Sequence, residues 1–246
     1  MVSFTGAEMA NMIAPGCLLV ATQKSSIHTL RLIEQYEDLQ EKLHHWVNAV
    51  FLIAQCRTSP DGKSQHIVGL SLTNEMNVNK EEDQRPFQAN WQSEALSELR
   101  LPNITRTFIG GPCSPEVPHI LFLAQRSKRL ENDNMYCWKV LRGKLCPFEG
   151  DLCLYYSSST YGIRQSLAWV GDALIGVHLY WGCATWDRVQ LLGEIARGGW
   201  GLAPGQIEAW TEPKSNRCWQ STLDRAIFAG ANDFSRRYEG QEDSKG

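Results

Sequence analysis

The sequence holds no apolar run near the roughly 20 residues that a membrane-crossing helix needs. Its longest candidate, VNAVFLIAQ from Val47, has the length of a strand. Basic charge is not in excess either: 24 Lys and Arg stand against 27 Asp and Glu, a formal net charge of -3. A dedicated nucleic-acid binder usually carries a basic surplus, so neither DNA reading nor membrane association is expected. The eight cysteines form no C-x-x-C pair, and none stands at zinc-finger spacing with a histidine. That removes the common zinc modules and thioredoxin-type motifs. Several cysteines sit in apolar runs, where the residue acts as a small buried hydrophobe. Reduced thiols in an intracellular compartment are the expectation.

Spacings that announce catalysis are missing too. There is no H-E-x-x-H, no G-x-S-x-G, no G-x-x-x-x-G-K-[ST] and no G-x-G-x-x-G. The six histidines do not cluster, and the adjacent His44 and His45 diverge on a helix. His178 alternates with apolar neighbours and reads as a core residue. No metal, cofactor or catalytic residue is therefore expected. The opening MVSFTGAEMANMIAPG has neither the basic and apolar regions of a secretory signal nor the Arg-rich character of a transit peptide. An organellar setting requires a removed presequence or an unusual signal.

What is present is a series of short strands. GCLLVAT from Gly16, VNAVFLIAQ, HIVGLSLT, TRTFI, VPHILFLA, MYCWKVL, GDLCLYYSSS and LIGVHLYWG are bounded by turn-forming residues. TSPDGKSQ, with its Asp61–Gly62 step, predicts a hairpin loop. The Gly110–Pro112 turn predicts another. Leu32, Tyr36, Leu39, Leu43 and Trp46 recur at helical spacing, giving a helix from about Leu30 to Trp46 with Glu37, Glu41 and Lys42 on its polar face. Further helices are expected over 92–99, 160–169 and 219–229, and a last strand near 205–210. The organisation reads as a tail over 1–14, one domain over 15–230 with insertions at about 30–46 and 75–90, and a second tail over 231–246. Strands joined by hairpin-like turns predict an α+β fold: a mixed, largely antiparallel sheet that curls toward a barrel, with helices outside.

The stretch WGCATWDRVQLLGEIARGGW, Trp181 to Trp200, packs tryptophan beside glycine. Asp187 and Gln190 form a capping box for a short helix from about Arg188 to Arg197. Val189, Leu192, Ile195 and Ala196 line one face, and Gly198 and Gly199 end it. Trp186 and Trp200 bracket the helix, as staples of a strand–helix corner or as walls of a ligand pocket. The segment resembles the YqgE/AlgH family, whose hallmark reads approximately G-Y-A-G-W-x-x-G-Q-L-x-x-E-[LI]-x-x-G-x-W. Gly182, Ala184, Trp186, Gln190, Leu191, Glu194, Ile195, Gly198 and Trp200 fall in register, while Cys183, Thr185 and Val189 depart. PGCLLVAT and FIGGPC resemble two other family stretches in the right order. IVGLSLTNEM matches a third loosely, with Met76 where the family has Pro and Asn74 one residue late. The 30–46 helix is an addition to the family core.

Candidate binding residues are few. Gly110 and Gly111 could form an anion-binding nest, or simply supply the backbone freedom of a turn, with Cys113 just beyond. Arg126, Lys128 and Arg129 make the one dense basic cluster, a solvated loop or a contact for RNA or acidic protein. The resemblance carries no catalytic mechanism. The expectation is a non-enzymatic binding or structural protein, an accessory subunit or assembly factor of a larger complex such as an organellar ribosome, with the mitochondrial matrix favoured over the cytoplasm. Its partners would be proteins, with RNA contact through the basic cluster. A regulator of gene expression, and an enzyme with a pocket near Gly110–Cys113, are the alternatives.

Overall fold

Most of the chain's apolar runs alternate between two buried faces, which is how a strand reads when both sides of its sheet are covered. In a computed structural model, which describes residues 6–35, 46–76, 104–126, 130, 137–143, 151–207, 210 and 215–229, these runs build one nine-stranded sheet. The strands are β1 (Cys17–Ala21), β2 (Val50–Thr58), β3 (Gln65–Ser71), β4 (Ile104–Ile109), β5 (Cys113–Gln125), β6 (Trp138–Gly143), β7 (Leu152–Ser158), β8 (Leu174–Asp187) and β9 (Trp200–Pro204). The helices are α1 (Gly6–Met12), α2 (Gln23–Gln35), α3 (Thr160–Val170), α4 (Arg188–Ala196) and α5 (Ser215–Leu223).

Strand order is β6-β7-β5-β8-β3-β2-β1-β9, with β4 pairing β8 beside that path. The β4–β8 ladder is parallel, while the other ladders are antiparallel. The sheet is thus mixed and largely antiparallel, as expected. It curls without closing. Every strand contributes a residue to a single inner cluster, from Leu18 and Leu52 through Leu70, Phe108, Leu121, Val140, Leu154 and Tyr180 to Ala203. The guanidinium of Arg57 on β2 sits 4.9 Å from the ring centroid of Trp138 on β6, so the two halves of the curl meet. Cys218 and Trp219 of α5 plug the inner cluster. Two outer clusters flank it, one under α1 and α4 and one under α3. Each fully buried aliphatic or aromatic side chain contributes about 1.5–3 kcal/mol, so the three clusters supply the driving force for the curl.

Several expectations need correction. The hairpin at Asp61–Gly62 forms, with Thr58 opposite Gln65. No hairpin forms at Gly110–Pro112, because β4 and β5 do not pair with each other; both pair with β8. The second helix starts at Gln23 and not near Leu30, because Thr22 caps it, accepting from the Ser25 N–H at 3.1 Å. Residues 36–45 of the expected helix lie outside the described residues. Trp46 stands in the core beside Phe51, Trp186 and Trp200. The strand expected near 205–210 is β9, which begins at Trp200 and lies against β1, and the helix expected at 219–229 ends at Leu223. Within the stretch read as a tail, α1 buries Met9, and Ile13 just beyond it is buried too. The expected helix at 92–99 lies outside the described residues, as do most of the 75–90 insertion and the tail over 231–246.

Candidate functional site: the tryptophan corner and the glycine crossing

The helix α4 forms where the capping residues predict. Asp187 accepts from the Val189 N–H at 2.8 Å, which satisfies one orphan donor of the first turn. The reciprocal half of the box is not made. Gln190 instead donates to Glu194 Oε1 at 2.9 Å, while Asp187 stays paired with His66 across the β3–β8 ladder. At the other end Gly198 has φ +78. Its N–H reaches Ile195 O, and the Gly199 N–H reaches Glu194 O, each at 2.9 Å. These two bonds define a Schellman ending, for which the left-handed glycine is required. The buried face is Leu191 and Ile195, not Val189, which points to solvent.

Glu194 organises the corner. Its Oε2 accepts from Trp186 Nε1 at 3.2 Å and from Trp200 Nε1 at 2.8 Å. The two indoles meet edge to face at 6.1 Å, and Trp46 and Phe51 close the cluster. Trp186 is 3% and Trp200 6% exposed. Both indole N–H groups are therefore taken and both rings buried, so Trp186, Gln190, Glu194, Gly198 and Trp200 form a staple and not the wall of an open pocket.

Gly110, Gly111 and Gly182 belong to a different device. On one edge of β8, β4 runs up as far as Ile109 opposite Trp181. On the other edge, β5 starts at Cys113 opposite Cys183 and runs back down. The short link between them must cross β8 backbone against backbone. A Cβ at Gly110 would stand 2.1 Å from Gly182 O, and one at Gly111 would stand 2.4 Å from the Cys183 carbonyl carbon. Gly182, at φ +69, bends β8 at the crossing. The Gly110 N–H donates to Trp181 O at 2.8 Å, and Gly110 O accepts from Ser71 N at 2.9 Å. Gly110 and Gly111 are buried against β8, and the anion-nest reading gives way to close backbone approach.

Arg126, the one described residue of the basic cluster, lies far away. Arg126 follows the last residue of β5, while Cys113 opens that strand; at about 3.3 Å per residue the two stand roughly 40 Å apart along it. Arg126 is exposed, and its backbone donates to Asp151 O at 3.0 Å. Lys128 and Arg129 lie outside the described residues. The described binding candidates, Gly110, Gly111, Cys113 and Arg126, do not converge on one site.

A buried polar group on the inner face escaped the sequence reading. His119 of β5 places Nδ1 2.8 Å from the Tyr156 hydroxyl of β7, and its Nε2 has no hydrogen-bond partner among the described residues. Burial, with the Arg57 cation adding to it, pushes His119 down to about 4. His178 stacks on Trp210 at 4.0 Å and tilts against Phe108; burial, then Arg106, pushes it down to about 3. Alternation alone could place both on the inner face, but only the curl brings their partners from other strands. Both histidines are held neutral. A histidine lowered in the folded state contributes stability fully present above the unfolded value of about 6.5 and lost as pH falls toward the folded value. The urea midpoint is thus expected to fall between pH 7 and pH 4, each histidine accounting for on the order of 3 kcal/mol by pH 4. His178→Phe should flatten that fall; an unchanged slope would mean His178 is not the group that titrates.

Burial also raises the thiols of Cys17 and Cys183 to about 12 and that of Cys56 above its ordinary value. Among the described residues no group of three or more His, Cys, Asp or Glu is placed to hold a metal ion. No helix among them is long and apolar enough to cross a membrane.

The comparisons agree with this geometry. A crystal structure of a protein from Corynebacterium diphtheriae has the same fold, with a TM-score of 0.52 and 20% sequence identity over 92% of this chain and 90% of that chain. The solution structure of the AlgH protein from Pseudomonas aeruginosa matches at a TM-score of 0.46 and 15% identity, over 92% of each chain. No curated protein matches the sequence. The AlgH-like family model matches residues 61–229, which include the glycine crossing and the stretch from Trp186 to Trp200. The chain belongs to the AlgH-like family.

Proposed function

We propose that the protein works without catalysis, as a binding protein that docks onto a larger assembly. An accessory or assembly role on an organellar ribosome, in the mitochondrial matrix, is the setting we put forward. One observation carries the docking reading. The helix α2, ahead of the family match, turns two apolar side chains outward: Ile27 and Leu30 are each 45% exposed, whereas Ser26 and Thr29 are buried. The inward face is held by polar bonds. Ser26 Oγ accepts from the Asn48 N–H at 3.0 Å, and Thr22 Oγ1 donates to Gly198 O at 2.8 Å. A helix held by Ser26 and its Thr22 cap, with Ile27 and Leu30 left to solvent, offers a partner an apolar contact. The free thiols of the described cysteines, most of them buried, suit a reducing compartment. The crowding of backbone at Gly110 and Gly111 weighs against a substrate pocket there.

The test is recovery of partners from native extract. Wild type is expected to retain a defined set of proteins that the Ile27→Glu, Leu30→Glu double variant loses, with its melting curve unchanged. Undiminished recovery by the double variant would remove α2 from the interface. Charge reversal of Arg126, Lys128 and Arg129 to Glu examines the basic cluster separately. If that cluster meets RNA or acidic protein, recovery should fall, and wild-type binding should weaken as salt rises.

A further inference from the structure

We propose that Cys113 and Cys183 are an oxidisable dithiol, a modification site at which a small disulfide oxidant of the glutathione class closes a bond between β5 and β8. The two residues are direct partners across the antiparallel β5–β8 ladder. Opposed residues in such a ladder have Cα atoms about 4.5 or 5.5 Å apart, inside the range of about 4.4–6.8 Å that disulfides use. Both are free thiols, Cys113 half-buried and Cys183 buried at 5% exposure. The Thr185 hydroxyl donates to Cys113 Sγ at 3.4 Å and holds that sulfur on the accessible side of the pair. Cys17 and Cys56 are a poorer couple. The β1–β2 register, with Leu18 opposite Leu52, does not set Cys17 opposite Cys56, and Cys17 Sγ donates to Ala203 O at 3.4 Å.

The chemistry runs in two exchanges. The Cys113 thiolate attacks one sulfur of oxidised glutathione, whose S–S bond breaks, and one glutathione leaves as its thiolate. Cys183 then gives its proton to water and attacks Cys113 Sγ, releasing the second glutathione. Two protein thiols are oxidised and one external disulfide is reduced to two thiols. Burial holds the Cys183 thiol up at about 12, so it is the resolving group and not the first attacker. Its fixed place opposite Cys113 offsets a small thiolate fraction. The bond would tie the start of β5 to β8 at the glycine crossing and close the chain between residues 113 and 183 in the unfolded state.

The full reduced chain is incubated with oxidised glutathione, its remaining thiols are alkylated, and its peptides are mapped by mass. The expected product is a linked Cys113–Cys183 peptide, preceded in the time course by one glutathione on Cys113, with an oxidised form that melts at higher urea. Cys183→Ser should stop at the Cys113 adduct, and Cys113→Ser should leave Cys183 unmodified. The wild-type time course stands even where Cys183→Ser folds poorly. A lasting Cys113 adduct with Cys183 still alkylated after unfolding would overturn the proposal, as would a Cys17–Cys56 link in its place or no reaction at Cys113.

Discussion

Replacing Trp200 or Trp186 with alanine is expected to lower folding stability by about 3–5 kcal/mol, the usual range for deleting a large buried aromatic. Each indole is buried, packs edge to face on its neighbours, and donates to Glu194 Oε2. Truncation opens a cavity and leaves part of the Glu194 carboxylate without a donor. Trp200→Phe shrinks the cavity loss, since it keeps a six-membered ring while removing the N–H and the rest of the indole. Its cost should fall below that of Trp200→Ala and not below the roughly 1.5–3 kcal/mol of a hydrogen bond to a charged group. The measurement is the urea midpoint at unchanged slope. A loss below roughly 1 kcal/mol for either alanine variant would mean that the ring is not part of the core, and the corner would return as a ligand site.

The second large effect lies at the crossing. Gly110→Ala is expected to cost at least about 3 kcal/mol, the top of the overpacking range, because its Cβ meets backbone that cannot rotate away. The colliding atom is Gly182 O at 2.1 Å. Gly62→Ala is the control: that glycine has positive φ, +70, which Gly110 does not, and a Cβ there meets nothing within 4 Å. It should lose only about 1 kcal/mol of conformational strain. A loss at Gly110 no larger than at Gly62 would show that close backbone approach does not fix the residue there.

Local chemistry explains what could be read from the sequence. The D-G hairpin, the Asp187 cap and the glycine end of α4 are settled by residues within a few positions of one another. The strands of the inner sheet follow from alternation, whose period survives any topology. The glycine crossing could not be read this way. A strand–turn–strand pattern around Gly110–Pro112 looks the same whether the strands pair together or flank a third strand that arrives some 70 residues later in the chain. Trp46 shows the same limit. Its spacing ends a helical stripe that begins at Leu32, but spacing does not show that its ring meets Phe51, Trp186 and Trp200. The burial of Ser26 beside exposed Ile27 was equally hidden, because it depends on the Asn48 backbone meeting Ser26. The family-pattern residues Trp186, Glu194 and Trp200 pack into the corner as a staple, one of the two readings their spacing allowed. His119 and Tyr156, which the pattern omits, come together only through the β5–β7 ladder, where His119 lies opposite Ser158.

If the family motif is scaffold and α2 is the docking face, the most direct measurement is amide hydrogen exchange on the free protein and on its complex recovered from native extract. New protection is expected over residues 23–35, with exchange at 182–200 unchanged because that corner is already closed in the free protein. Protection appearing instead at 110–113 or 182–200, with α2 exchanging as before, would contradict the division and return binding to the shared core.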